Sequence, residues 1–194
     1  MPETSVSLLE RLRDQADRDA WGQLVDLYAP LIAVWLRRQG VPPSDIDDLV
    51  QEVLGVLVRR LPEFRHNRRV GAFRHWLRTV MVHCLRRSAR TRRRHPEMPG
   101  AADLAPLLDQ LEDPGSHLSR LWDREHDLHV ARRLLERVEL EFQPGTWHAF
   151  RRQVLEGASA AEVAAETGAS VNAVLIAKSR VLNRLRQEGA ELID

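Results

Sequence analysis

The chain has 194 residues, a hydrophobic fraction of 43% and a formal net charge of +1, which is enough for one or two small globular domains. It has no apolar run of about 18 residues, and its N-terminal stretch carries early acids instead of the apolar core of a secretory signal. Its single cysteine, Cys84, excludes a disulfide framework and a cysteine-ligated zinc site. We therefore expect a cytoplasmic protein that is not inserted in a membrane.

Apolar residues recur at helical spacing and strand signals are nearly absent, so the sequence predicts an all-α fold. Ser44 is expected to cap the third helix, with Asp47 completing an approximate capping box. The predicted helices span about 7–16, 19–38, 44–61, 71–90, 119–141 and 146–155, and two more begin at Ser159 and Ser170. A segment rich in Pro, Gly, Ala and Asp separates them into two small helical domains, 1–94 and 119–194, joined by a flexible acidic linker at 95–118. Within this linker the short piece LAPLLDQL is a candidate for a turn or two of helix.

Charge is strongly segregated along the chain. Residues 65–94 contain eleven arginines, three histidines and no acid, whereas residues 95–119 contain five acids and no arginine or lysine. Such segregation of charge indicates that these segments bind a partner. We expect the linker acids to lie against the arginine tract and to weaken DNA binding by the free protein; these acids are Glu97, Asp103, Asp109, Glu112 and Asp113.

The third helix combines a complete apolar stripe with an acidic face. Acids in its first turn favour the helix dipole, so a solvated face is one interpretation. However, Gln51 and Glu52 lie deeper, on the same face as Asp48, while the stripe already serves the core. We therefore predict that this face binds a protein partner through Asp47, Asp48, Gln51 and Glu52.

Arginines and aromatic residues alternate before and along the fourth helix, a pattern typical of surfaces that bind single-stranded DNA. The polar loop at 66–72 is predicted to hold an extruded base. Phe73, Trp76 and Leu77 are expected to pack in the core more than to stack on bases. The predicted contacts with melted DNA are His66, Asn67, Arg68, Arg69, Arg74, Trp76, Arg78, His83, Arg86 and Arg87.

The C-terminal segment predicts a helix-turn-helix. Ala164 allows close helix approach, Gly168 allows the left-handed turn, and Val174 packs the last helix against the preceding one. An ordinary helical hairpin is the alternative, but the basic outer face of the last helix favours phosphate contacts. The predicted contacts with duplex DNA are Ser170, Asn172, Leu175, Ile176, Lys178, Ser179, Arg180 and Arg184.

With these motifs in this order, the chain resembles a bacterial RNA polymerase sigma factor of the extracytoplasmic-function (ECF) type. The segment similar to sigma region 2.2 is DDLVQEVLGVLVRRLPEF, and the tract with Phe73, Arg74, Trp76 and Leu77 is similar to regions 2.3 and 2.4. The segment similar to region 4.2 is EGASAAEVAAETGASVNAV followed by SRVLNRLR. The chain departs from many family members at His83 and at residues 175–177.

The resemblance implies that the first domain docks on core RNA polymerase and reads the melted −10 element, while the second reads the duplex −35 element. The implied partners are the clamp coiled coil of the largest polymerase subunit, the flap region, promoter DNA and, where one exists, an anti-sigma factor.

Two other classes compete with this function. A stand-alone helix-turn-helix regulator would explain the C-terminal domain but not the first. An enzyme would need a site, and the best candidate is the cluster of Glu125, His126, Asp127 and His129. We expect a solvated helix face there instead of a metal site, because spacing fixes no third ligand. No phosphate-binding glycine loop or activated nucleophile is recognisable, so we expect no catalytic residue, metal or cofactor.

Overall fold

The computed structural model describes residues 8–14, 16–64, 71–93 and 105–189, and within these ranges the regular structure is helical. The helices are α1 (Leu8–Arg11), α2 (Arg18–Arg38), α3 (Pro43–Arg60), α4 (Ala72–Arg93), α5 (Ala105–Glu112), α6 (His117–Glu139), α7 (Pro144–Val154), α8 (Ala160–Thr167) and α9 (Val171–Gly189). A 3-10 turn, Leu61–Glu63, follows α3. The all-α prediction is confirmed.

The core of the first compact unit is built on α2, α3 and α4, which pack against one another. On α2, Leu24, Tyr28 and Ile32 recur every four residues and are fully buried, as the predicted stripe requires. The predicted apolar stripe of α3 is also buried; it comprises Ile46, Leu49, Val50, Val53, Leu54 and Leu57. These stripes leave the polar face of α3 on the outside.

The predicted cap of α3 is wrong. The helix begins at Pro43, Pro42 occupies the N-cap position, and no side chain bonds to the helix start there. Ser44 lies inside the first turn, and its hydroxyl donates to Asp45 Oδ1 at 3.0 Å. Proline at the first helical position has the backbone angle of a helix already and no N–H to satisfy, so the helix starts one residue early without a serine cap.

The chain divides into two compact units between Val130 and Ala131, inside α6. The sequence prediction instead placed domain boundaries at 94/95 and 118/119. The described end of the predicted linker, residues 105–118, is α5 and the start of α6, and α5 packs on α4 with Leu108 and Leu111 buried. Apolar burial outweighs the loop-like composition of this segment.

The second unit contains the end of α6 together with α7, α8 and α9. One cluster of Val138, Trp147, Phe150 and Val181 joins α6, α7 and α9. A second cluster joins α7, α8 and α9 and comprises Ala149, Val163, Ala164 and Val174. The predicted packing of α9 on α8 through Val174 is therefore confirmed, and Ala164 belongs to the same buried cluster.

Local signals set the ends of these helices. Ser159 and Glu162 form a reciprocal capping box at the start of α8, and Gly168 ends that helix in the left-handed conformation at φ +71°. Ser170 Oγ accepts from the Ala173 N–H at 3.1 Å and caps α9. All three features agree with the sequence prediction. Across the described ranges, every helix is too short or too polar to span a bilayer.

Candidate polymerase and nucleic-acid interfaces

The acidic face of α3 is open. Asp47, Asp48 and Gln51 are exposed, and Glu52 is half-buried with its carboxylate 3.6 Å from the guanidinium of Arg87 on α4. The opposite side of the helix is fully used by the core. The four residues predicted to bind a protein partner thus share one accessible strip. The strip meets the basic helix α4 where Glu52 approaches Arg87.

Trp76, at the start of α4, packs among aromatic rings beside the arginine tract. His66, Asn67, Arg68 and Arg69 lie outside the described residues. Trp76 is half-buried, with its ring centroid 5.1 Å from that of Phe64 and 5.7 Å from that of Phe73. This agrees with the expectation that Trp76 serves mainly in packing.

Two arginines predicted to contact DNA are held by α6. Arg74 Nη1 lies 2.8 Å from Asp127 Oδ2, and Arg78 Nη1 lies 3.0 Å from Asp123 Oδ1. Arg78 is only 4% exposed and also donates to the Ser119 carbonyl at 3.3 Å. Burial lowers the pKa of Arg78 and Asp123 opposes that shift. Neither arginine faces a DNA-accessible surface in this conformation, because α6 packs where the sequence suggested open solvent.

Within the cluster of Glu125, His126, Asp127 and His129, His126 is buried and the other three are partly exposed, so the predicted solvated face is wrong at His126. His126 is 0% exposed, stacks on Tyr28 and places Nδ1 3.0 Å from Asp127 Oδ1. His129 Nε2 lies 2.7 Å from the Leu27 carbonyl oxygen. Burial, and then the charge of Asp127, raise the pKa of Tyr28 above its ordinary value, so the phenol stays neutral. Across the described residues no group of three or more His, Cys, Asp or Glu is arranged to hold a metal ion.

The C-terminal half of α4 presents the open basic surface. His83, Arg86, Arg87, Arg90 and Thr91 line a cavity of about 600 Å³. The side chain of Arg87 is 80% exposed. This cavity contains three of the residues predicted to contact melted DNA, and a basic concave surface is what a phosphate backbone requires.

A second groove, between α3 and α4, adds two basic residues that the sequence interpretation missed. It has a volume of about 460 Å³, and its lining includes Arg59, Arg60, His83, Cys84 and Arg87. Arginine near a helix C-terminus is also favoured by the helix dipole, so the sequence carried no separate signal for this role. Burial raises the pKa of the Cys84 thiol to about 11.

The helix α5 lies against part of this surface. Arg86 is ion-paired with Glu112, and its Nη2 also lies 3.3 Å from Asp109 Oδ1. Two of the five acids expected to approach the arginine tract therefore do so. Asp113 Oδ1 instead accepts from the Gly115 N–H at 2.8 Å. Glu97 and Asp103 lie outside the described residues.

The outer face of α9 carries most of the residues predicted to contact duplex DNA. Asn172, Ser179 and Arg180 are exposed, as is the cap residue Ser170, and Lys178 is half-buried. Leu175 and Ile176 are also exposed, by 48% and 49%.

Arg184 differs from the prediction. Its Nε lies 2.5 Å from Glu141 Oε2, and its Nη1 lies 2.6 Å from Glu188 Oε1. The hydrogen bond to Glu141 raises the pKa of Arg184, partly against desolvation. A guanidinium held by two carboxylates is a poor phosphate contact, and sequence spacing gave no sign of Glu141 because it lies 43 residues away.

A basic helix beside an acidic one, together with a helix-turn-helix, is the arrangement expected of a helical DNA-binding protein. Residues 24–95 match the family model of Sigma-70 region 2. The chain is 30% identical over 128 residues to the RNA polymerase sigma factor NccH of Alcaligenes xylosoxydans xylosoxydans, covering 65% of this chain and 67% of that protein. It is also 30% identical over 106 residues to the RNA polymerase sigma factor CnrH of Cupriavidus metallidurans, covering 55% and 54% respectively.

The chain belongs to the RNA polymerase sigma factors of the ECF type. Sigma factors are in general non-enzymatic regulators of transcription. The family's partners are core RNA polymerase and promoter DNA, and its function is to direct transcription initiation. This function is favoured over that of a stand-alone helix-turn-helix regulator.

Proposed function

We propose that the first unit docks on core polymerase through the acidic strip of α3 and holds melted −10 DNA along α4. The observation that carries this proposal is that one matched family segment, residues 24–95, contains both surfaces. Asp48 and Glu52 stand on the outer side of α3, and the basic cavity around Arg87 lies on α4 next to it. Adjacent surfaces of opposite charge allow one rigid pair of helices to bind a protein and a nucleic acid together.

The −10 surface that we propose is narrower than the sequence predicted. Arg74 and Arg78 support the fold. The contacts with DNA are made instead by residues 66–69, His83, Arg86 and Arg87. Arg59 and Arg60 extend the same surface along the α3–α4 groove. Interleaved cations and rings suit single-stranded DNA, in which phosphates meet guanidinium groups and extruded bases stack.

The second unit reads the duplex −35 element with α9. Three features support this assignment. Ala164 and Val174 share one buried cluster that packs α8 and α9 together, and Gly168 makes the left-handed turn between them. The outer face of α9 is polar and starts with Asn172. The second helix of such a motif enters the major groove with its N-terminal half. The polymerase partners are the clamp coiled coil and the flap region, an anti-sigma factor is a partner where one exists, and the protein works in the cytoplasm.

A titration of core polymerase tests the docking proposal. The charge-reversed variant carries Asp48→Lys and Glu52→Lys, and we expect its affinity for core polymerase to fall at least tenfold while helicity by circular dichroism is unchanged. A matched control reverses two exposed acids elsewhere, Asp19→Lys and Glu139→Lys, so that net charge is equal. Equal affinity in the two variants would refute docking through α3.

A further inference from the structure

The outer side of α9 carries bulky apolar side chains that neither core cluster uses. Leu175 and Ile176 are about half exposed, at 48% and 49%, and Val171 is 45% exposed. The buried side of the same helix is formed by Val174 and Val181. Each step along a helix turns the side-chain direction by about 100°, so the two residues that follow Val174 point progressively away from the core.

The surroundings of these two side chains are polar and cationic. Asn172 and Ser179 are exposed on the same side of the helix. Lys178 and Arg180 flank the patch, and neither has an ion-pair partner in the described part of the chain. Duplex DNA is a better match for this patch than an apolar protein surface is. The phosphates of DNA can pair with the cations of Lys178 and Arg180, whereas an apolar protein surface would leave those cations without a partner.

We propose that Leu175 and Ile176 recognise the 5-methyl groups of thymines in the major groove, so that α9 selects thymine at the one or two base pairs they face. This inference rests on the proposed reading of duplex DNA by the second unit. In the major groove each unmodified base presents hydrogen-bonding groups, and only thymine adds an apolar methyl. Leucine and isoleucine side chains can neither donate nor accept a hydrogen bond.

Selectivity follows from both a gain and a penalty. Contact with thymine buries two apolar surfaces against each other. Contact with guanine or cytosine would cover a polar base edge and leave its hydrogen bond unmade. The apolar pair therefore both favours thymine and disfavours the alternatives, while Asn172 supplies a hydrogen-bonding contact at a neighbouring position.

The test replaces thymine by deoxyuridine, which removes only the methyl group. The full-length protein is assembled with core polymerase, and the upstream element that it prefers is first selected from a randomised promoter library. Each upstream thymine is then replaced in turn, and the affinity of the holoenzyme for the duplex is measured. We expect about fourfold weaker binding for each contacted methyl, at one or two positions only.

Two variants test whether Leu175 and Ile176 cause the loss of affinity on replacement of thymine by deoxyuridine. Leu175→Ala and Ile176→Ala keep a good helix former at exposed positions, so the fold is expected to remain. In these variants the ratio of thymine to deoxyuridine affinity should fall to about one at the affected position. The control is Leu140→Ala, since Leu140 is 87% exposed and lies outside α9, and it should leave the ratio unchanged.

Three results would overturn the inference, and they differ in what else they affect. If deoxyuridine and thymine bind equally while Asn172→Ala still weakens upstream binding, thymine recognition fails and duplex reading by α9 stands. If the holoenzyme shows no upstream sequence preference, the proposed function of the second unit fails as well. If Leu175→Ala weakens assembly with core polymerase without DNA, the patch binds protein.

Discussion

Release of Arg86 from the acids of α5 should strengthen the binding of single-stranded DNA by the free protein. In the structure Glu112 and Asp109 both contact this guanidinium, which lies in the open basic cavity of α4. DNA must therefore displace two carboxylates before it can use Arg86. The double variant Glu112→Gln and Asp109→Asn removes both charges and keeps the side-chain sizes. It is preferable to deletion of the segment, because α5 also buries Leu108 and Leu111.

The size of the gain follows from the exposure of the pairs. The side chain of Arg86 is 31% exposed, and those of Glu112 and Asp109 are 45% and 76% exposed. Solvated ion pairs of this kind contribute roughly 0.2–1 kcal/mol each, so the two together oppose DNA by about 1 kcal/mol. That corresponds to about a fivefold tighter complex for the variant. One additional phosphate contact should also steepen the salt dependence by about 0.7 for a single strand.

The assay is fluorescence anisotropy of a labelled single-stranded oligonucleotide, titrated with the full-length protein at several salt concentrations. A control, Glu139→Gln, removes an exposed acid from a part of α6 that belongs to the second unit. A further variant adds Arg86→Ala to the double substitution and should abolish the gain. The reasoning is refuted if the double variant binds no more tightly than the parent, if the control gains as much, or if the gain survives the loss of Arg86.

Three further predictions address the rest of the chain. Trp122→Ala should destabilise the first unit by about 3–5 kcal/mol, measured by urea unfolding, because this fully buried ring packs edge-on against that of Trp35 at 5.4 Å; a change below about 1 kcal/mol would contradict the placement of α6. Burial raises the pKa of Asp127, but the hydrogen bond with His126 and the charge of Arg74 prevail and hold it below 3.8. Its contribution is therefore fully present above about pH 4 and is lost as the pH falls through the lowered pKa, so Asp127→Asn should cost about 1–3 kcal/mol at pH 7 and progressively less as the pH is lowered below about 4; a cost that does not decrease on acidification would contradict this sign. Asn172→Ala should cost about 1–3 kcal/mol at one or two upstream base pairs in transcription from a randomised promoter library, whereas a shift of the preferred downstream bases would contradict the division of the promoter between the two units.

Features governed by neighbours in sequence were predictable. The stripes of α2 and α3, the capping box at Ser159, the cap at Ser170 and the turn at Gly168 each depend on residues within about four positions. The physical determinants of such features are local hydrogen bonds and side-chain periodicity. The predicted cap at Ser44 is wrong, because Pro43 occupies the first helical position and the N-cap falls on Pro42.

Features that depend on distant partners were not predictable in the same way. Arg184 was expected to hold a phosphate, yet it is held by Glu141, which lies 43 residues away in sequence. The contact of Glu112 with Arg86 also joins distant residues, but the segregation of charge along the chain did predict it. An isolated arginine looks the same in sequence whether its partner is a carboxylate or a phosphate. Only the packing of a second helix decides between them, and the sequence pattern did not reveal the packing of α5 and α6.

The pattern of α6 explains why its packing was hidden. Its buried positions include Trp122, His126 and Val130 in the first unit and Leu134 and Val138 in the second. Steps of four residues advance the buried direction by about 40° each, because an α-helix has 3.6 residues per turn. The buried direction therefore changes along the helix, and no single apolar stripe forms. A single apolar stripe is the pattern by which a packed helix is recognised in a sequence.

The same spacing of four residues creates a ladder between α6 and α4. Arg74 and Arg78 are one turn apart on α4, Asp123 and Asp127 are one turn apart on α6, and they pair in antiparallel order. Arg74 Nε also lies 3.7 Å from Asp123 Oδ1, so the first arginine approaches both acids, and these pairs favour one register of the two helices. The ladder also withdraws two guanidinium groups from the DNA surface. The arginines of α4 thus divide along the helix. Arg74 and Arg78 anchor α6, and we propose that the residues from His83 onward present cations to a nucleic acid.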